Sequence, residues 1–229
     1  MCIRDSMKAM ILSAGFGTRL LPLTNDIPKA LVKYKGIPMI NYQIQRMIEL
    51  GADEIIVNVH HHSDKILKYF SENDFGIKIS VIFENEILGT GGGILNASEF
   101  LKDEKYFIVI NVDIDTDLNI SDMISSHISK NPFATLAVQK RKSKKYLEFD
   151  SDFHLTGREN SDSFPENLFA FNGIHIISNK IFEKESEIKF KDILSVYFDV
   201  INDKTEFVSG FDAGNSSFKD IGKLENLNS

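Results

Sequence analysis

The apolar run Ala9-Met10-Ile11-Leu12 passes directly into Ser13-Ala14-Gly15-Phe16-Gly17-Thr18-Arg19. Such a run is what a buried strand presents, and glycines immediately after it let the chain turn at positive φ and bring backbone N–H groups close to an anion. Arg19 and, just after Pro28, Lys29 add the countercharge. A glycine pair alone is equally what an ordinary tight turn needs. The whole stretch through Lys29 reads better as a phosphate-binding turn at the end of a first strand.

The order of the elements that follow sets the fold class. Pro38 stands where a first helical residue tolerates it, Ile40, Ile44, Met47 and Ile48 recur at helical spacing, and Gly51 closes the helix. Residues 54–59 are short and β-branched, a second strand. A helix over about 63–70 and a strand over 77–83 come next. Strand, helix, strand, helix, strand implies right-handed crossovers and a mainly parallel α/β sheet. A second glycine cluster, Gly89-Thr90-Gly91-Gly92-Gly93, enters a helix over about 92–101, and Tyr106-Phe107-Ile108-Val109-Ile110 suits a central strand buried on both faces. Past Phe133 the pattern predicts strands at 134–138, 146–149 and 168–177. A helix carries Phe190, Ile193, Leu194, Tyr197, Phe198 and Ile201 at core spacing, and a strand near 206–211 and a short terminal helix close the chain.

Composition narrows the function. A chain of 229 residues with 42% hydrophobic content supports one domain, and a net charge of −7 lacks the basic footprint of a polynucleotide-binding surface. One cysteine, Cys2, excludes an intramolecular disulfide and a cysteine-rich zinc site, and fits a reducing cytoplasm. No apolar run approaches the roughly 20 residues that span a bilayer, so no membrane partner is expected. Residues 1–6 read as a non-native or disordered leader, with the domain running from Met7 to Ser229. Oligomeric state is open, and a homo-oligomer is compatible with the sequence.

Two carboxylates stand out. Asp113 follows the central strand, at the edge where open α/β sheets bind ligands, and Asp220 lies far along the chain in Asp220-Ile221-Gly222. Either could cap a turn. Together with the glycine loop they make a reasonable Mg²⁺ site, because that ion takes one or two protein carboxylates and leaves its other positions to phosphate and water. Asp115 and Asp117 read as loop and helix-start residues, His60-His61-His62 as a solvated connection, His175 as a structural strand residue, and the basic run at 140–145 as an exposed hairpin. Consecutive glycines cost roughly 0.5–1 kcal/mol each within regular structure, and close approach of a flat ligand accounts for those at 91–93.

Gly15-Phe16-Gly17-Thr18-Arg19-Leu20-Leu21-Pro22-Leu23-Thr24 with Pro28-Lys29 resembles the signature loop of the sugar-1-phosphate nucleotidylyltransferases, or nucleoside-diphosphate-sugar pyrophosphorylases. The resemblance continues through Thr90-Gly91-Gly92-Gly93, Asn111-x-Asp113, Phe171-x-Gly173-Ile174 and Asp220-Ile221-Gly222. It is nearest to short single-domain members of the N-acetylmuramate-1-phosphate uridylyltransferase and mannose-1-phosphate guanylyltransferase kind. It implies a Rossmann-like, GT-A type α/β/α sandwich with a mixed, mainly parallel sheet. By resemblance, Ala14, Gly15, Gly17, Thr18 and Arg19 hold the triphosphate with Lys29 near the reacting phosphates. Gly91 and Gly92 lie against base and ribose beside Glu84 or Glu86, Asn111, Asn172 and Gly173 face the sugar, and Asp113 and Asp220 hold Mg²⁺. Arg19, Lys29 and Asp113 are the expected catalytic residues. The family usually has glycine where this chain has Val112, so the added side chain is expected to alter the sugar or ribose contacts there.

The implied reaction is attack of a sugar 1-phosphate oxygen on the α-phosphorus of a nucleoside triphosphate, with UTP expected first and GTP next. No general base is needed, because the attacking phosphate is already anionic near neutral pH. Catalysis rests on positioning and charge neutralisation. Two alternatives stand beside it: a CTP-dependent cytidylyltransferase acting on phosphocholine or a similar ester, and a non-catalytic nucleotide-sugar sensor.

Overall fold

The computed structural model describes residues 7–160 and 168–227; the proposed leader, residues 1–6, lies outside them. Strands β1 (Lys8–Leu12), β2 (Lys33–Tyr34) and β3 (Ile37–Pro38) precede helix α1 (Met39–Glu49). Then come β4 (Glu54–Val59), α2 (Ser63–Glu72), β5 (Lys78–Phe83), α3 (Gly89–Asn96), α4 (Ser98–Leu101), β6 (Tyr106–Asn111), β7 (Ile114–Thr116) and α5 (Ile120–Lys130). The remainder is β8 (Ala134–Gln139), β9 (Lys145–Phe149), β10 (Leu155–Asn160), β11 (Leu168–Ser178), α6 (Ile181–Lys184), α7 (Ile193–Asn202), β12 (Val208–Asp212) and β13 (Phe218–Asp220).

The main sheet runs β10-β9-β11-β6-β1-β4-β5, with β8 pairing β11 and β12. β6, β1, β4 and β5 are mutually parallel neighbours, and β11 joins antiparallel against β6. Strand periodicity divides the core between two faces: Ala9 and Ile11 of β1 pack with Ile40, Ile44 and Met47 of α1, whereas Met10 and Leu12 pack with Ile94 of α3 and Val196 and Tyr197 of α7. Helices therefore cover both faces in a three-layer, Rossmann-like α/β/α arrangement.

Several local expectations shift. Pro38 is the cap residue before α1 rather than its first residue, and ends a small hairpin with β2. The glycine-rich helix begins at Gly89 and ends at Asn96, earlier than expected. Phe190 is 72% exposed and precedes α7, whose buried face is Ile193, Val196, Tyr197 and Val200. Asp115 sits on a short strand rather than in a loop: β7 pairs antiparallel with β13, bringing Ile114 opposite Asp220.

Candidate active site

The parallel strands β1 and β6 end side by side, Leu12 in register with Asn111, so the glycine loop and the Asn111-Val112-Asp113 segment emerge at the same sheet edge. The β7–β13 ladder then folds the chain back, and the Ile221 N–H donates to the Asp113 carbonyl at 2.9 Å. Asp113 and Asp220 are thereby brought together from distant parts of the chain. Gly222 makes the approach possible: a Cβ there would lie 2.2 Å from Asp113 Oδ2 and 3.0 Å from Asp220 Oδ1.

Arg19 lies between the two carboxylates, Nη1 donating to Asp220 Oδ2 at 2.5 Å and Nη2 to Asp113 Oδ2 at 3.3 Å. Desolvation works to lower the Arg19 pKa, but the hydrogen bond it donates to Asp220 and the charges of Asp220 and Asp113 outweigh this and raise it. Lys29 Nζ reaches the same Asp113 oxygen at 3.1 Å. Two carboxylates facing one cationic point across a glycine form a donor set suited to a hard divalent ion.

Two cavities open here. The smaller, about 240 Å³, is lined by Ala14, Gly15, Lys29, Asn58, Glu84 and Thr90; the larger, about 980 Å³, by Arg141, Asn172, Gly173 and Asp220. Arg19, Asn111 and Asp113 border both. A further hollow of about 510 Å³, between α1 and the start of α5, contains none of these residues.

The buried Glu84 accepts from Asn58 Nδ2 at 2.6 Å and from the Leu88 N–H at 2.9 Å, so its carboxylate is a fixed part of the smaller cavity's wall; Glu86 is exposed and does not line it. Asn172 is 1% exposed, and among the described residues its Nδ2 has no partner. Gly173, at φ +72°, sits where a Cβ would be 2.7 Å from Asn111 Nδ2, so glycine allows those two segments to touch.

Other expected residues stand elsewhere. Thr18 is exposed and Gly17, at φ +67°, packs against Lys29 and Thr24; neither lines a cavity. A Cβ on Gly92 would lie 2.1 Å from the Lys189 carbonyl, and the Gly91 and Gly92 N–H groups both donate to the Lys191 carbonyl. Close approach of the 189–193 segment by itself requires glycine at these two positions. The Val112 side chain is fully buried in the core, away from both cavities. Asp115 accepts from the Tyr34 and Tyr42 hydroxyls and from Lys35; burial would raise its pKa, but these bonds hold it below the ordinary value.

The histidine run behaves as a connection: His60 Nδ1 lies 2.8 Å from the Glu84 carbonyl oxygen, and Phe16 meets the rings of His60 and His61 edge-on. The basic run at 140–145 is not simply an exposed hairpin. Arg141 turns inward, with Nε donating to Asn172 Oδ1 at 2.9 Å and Nη2 to the Phe171 carbonyl at 2.8 Å, its guanidinium 3.8 Å from the Phe218 ring centroid. Composition points at this run, but nothing local distinguishes Arg141 from its neighbours.

The strand-end glycine loop, the paired carboxylates and the cations thus converge on two cavities of an α/β sheet that share Arg19, Asn111 and Asp113. The chain belongs to the family described as nucleotidyl transferase, which it matches over residues 8–228. It is 38% identical over 136 residues to the mannose-1-phosphate guanylyltransferase catalytic subunit beta of Dictyostelium discoideum, covering 58% of this chain and 38% of that protein. It thus spans about two fifths of that relative's length. Among solved structures it resembles HddC from Yersinia pseudotuberculosis at 28% identity, with a TM-score of 0.80 over 96% of this chain and 95% of that one. The same protein complexed with GMP-PN matches at 27% identity and a TM-score of 0.78, covering 96% of each chain.

Proposed function

We propose that the protein transfers a nucleoside monophosphate from a nucleoside triphosphate to a sugar 1-phosphate, releasing pyrophosphate. The observation that carries this reading is the junction of two cavities at Arg19, Asn111 and Asp113. One phosphate ligand in each would meet at that point. The nucleotide belongs in the smaller cavity, with its phosphates on the Gly15 backbone and Lys29; the sugar belongs in the larger, near Asn111, Asn172 and Gly173. An acceptor phosphate oxygen attacks the α-phosphorus in line, the new P–O bond forms, and the bond to pyrophosphate breaks with its electron pair leaving on pyrophosphate. Arg19 and Lys29 neutralise the charge that accumulates, and alignment supplies much of the acceleration.

Asp113 and Asp220 would hold Mg²⁺, whose chemistry is polarisation of the phosphoryl oxygens. The resemblance alone puts UTP ahead of GTP; GTP is the better supported nucleotidyl donor. A guanylyltransferase relative and a neighbour bound to GMP-PN favour it. So does Glu84, because a carboxylate offers only acceptors and suits the adjacent N–H donors of guanine better than the donor–acceptor edge of uracil. Location in a reducing cytoplasm is part of the same proposal, in keeping with a sequence that holds no pair of cysteines to join in a disulfide.

The test is pyrophosphate release across GTP, UTP, CTP and dTTP against a set of hexose 1-phosphates and phosphocholine, with Mg²⁺ present. Highest turnover is expected with GTP and a hexose 1-phosphate. Preference for CTP with phosphocholine would replace the acceptor class, and nucleotide binding without turnover on any pair would favour the sensor.

A further inference from the structure

We propose that Arg141 receives the phosphate group of the acceptor, as a phosphate monoester dianion, in the larger cavity; this rests on the transferase reading above. Arg141 stands between β8 and β9 and faces the space bordered by Arg19, Asp113 and Asp220. The groups that anchor its guanidinium are neutral: the Asn172 amide oxygen, the Phe171 carbonyl and the Phe218 ring. Among the described residues, no carboxylate lies within ion-pair distance of it. Arg19 is the internal contrast, since its charge is matched by Asp113 and Asp220.

A guanidinium stays protonated in a protein, so partial burial without a countercharge leaves a fixed cation facing the cavity. Burial lowers its pKa, and the more distant attraction of Asp220 offsets that only in part. Of its five N–H donors, one on Nε and one on Nη2 are committed at short range, while Nη1 meets only the Lys142 carbonyl, at 3.5 Å. The remaining donors form the planar fork that phosphate oxygens accept. Lys142 and Lys144, exposed on the same loop, border the cavity and raise its positive potential.

The same contact orients the sugar side. Arginine can only donate, so the Asn172 oxygen must face it, which leaves Asn172 Nδ2 as the unpartnered donor. Arg141 thus also fixes which way the buried Asn172 amide points.

The test is calorimetric titration of the full chain, wild type, Arg141→Met and Arg141→Lys, with mannose 1-phosphate, mannose, inorganic phosphate and GTP. Arg141→Met is expected to weaken mannose 1-phosphate binding by roughly 30-fold or more, the scale of lost charged hydrogen bonds, with GTP affinity and the circular dichroism melt unchanged. Arg141→Lys should recover part of the loss, and mannose should bind weakly to all three. Three results would overturn the proposal: binding by Arg141→Met within threefold of wild type, an equal loss for GTP, or no binding of mannose 1-phosphate or inorganic phosphate by wild type. Failure of the transferase reading is a separate result, namely normal binding of both ligands with no pyrophosphate released.

Discussion

Arg19 and Asp220 lie 201 positions apart in the sequence, yet Arg19 Nη1 donates to Asp220 Oδ2 at 2.5 Å. The guanidinium contacts both carboxylates that would hold a divalent cation, so the two would compete for them. In Arg19→Ala the nucleotide-free protein is expected to bind Mn²⁺ more tightly than wild type, while pyrophosphate release falls by roughly 100-fold because charge neutralisation is lost. Calorimetric Mn²⁺ titration and a turnover assay read the two effects. Unchanged or weaker metal binding would count against the shared site.

Gly222 gives a second, sharper probe of the pair. An alanine Cβ there would press on Asp113 Oδ2, which Arg19 and Lys29 already hold. Gly222→Ala is expected to lose about 100-fold or more in turnover, with a circular dichroism spectrum like that of wild type. Full activity in that variant would mean the carboxylates need not stand so close.

Asp113 is 4% exposed and receives both Arg19 and Lys29 on one oxygen. Asp113→Asn keeps the shape and removes the charge, leaving two cations with less to balance them. Turnover should fall by at least about 100-fold at every Mg²⁺ concentration, in a chain that still melts cooperatively. Turnover close to that of wild type in a folded Asp113→Asn protein would argue against a role in holding the ion.

Acid should destabilise the fold through two buried histidines. His175, whose Nδ1 is 2.6 Å from the Tyr197 hydroxyl, is pushed by burial down to about 3, and burial likewise lowers His127 to about 4. Both folded-state values lie below the ordinary 6.5, so as pH falls through 6.5 the unfolded chain gains protons that the folded one refuses. Stability is therefore full above about pH 7 and declines below 6.5, by roughly 1.4 kcal/mol per pH unit for each histidine. Urea unfolding at pH 7, 6 and 5 measures the slope, and His127→Gln should reduce it by about half. A flat profile between pH 6.5 and 5 would refute the assignment.

Much of this architecture was readable residue by residue. β4 spans the residues its β-branched run indicates, and β1 ends where its apolar run meets the glycine loop. Both signals are local: side-chain periodicity and backbone freedom act within a few residues. Asp113 was legible for the same reason, since a polar residue ending a buried strand marks the sheet edge.

What the sequence by itself determined was the α/β alternation, the glycine loop with its cations, and a carboxylate at the end of the central strand. Only the tertiary structure decided which distant groups meet. The β7–β13 ladder brings Asp220 to Asp113 and Arg19, the 189–193 segment takes up the contacts of Gly91 and Gly92, and the β11 bulge lets Gly173 touch Asn111. Arg141 shows the limit most clearly. In the sequence it is one cation among several, and its partners, Asn172, Phe171 and Phe218, lie on other strands. Their approach depends on strand pairing and on where each loop can close, and no local pattern of residues encodes that.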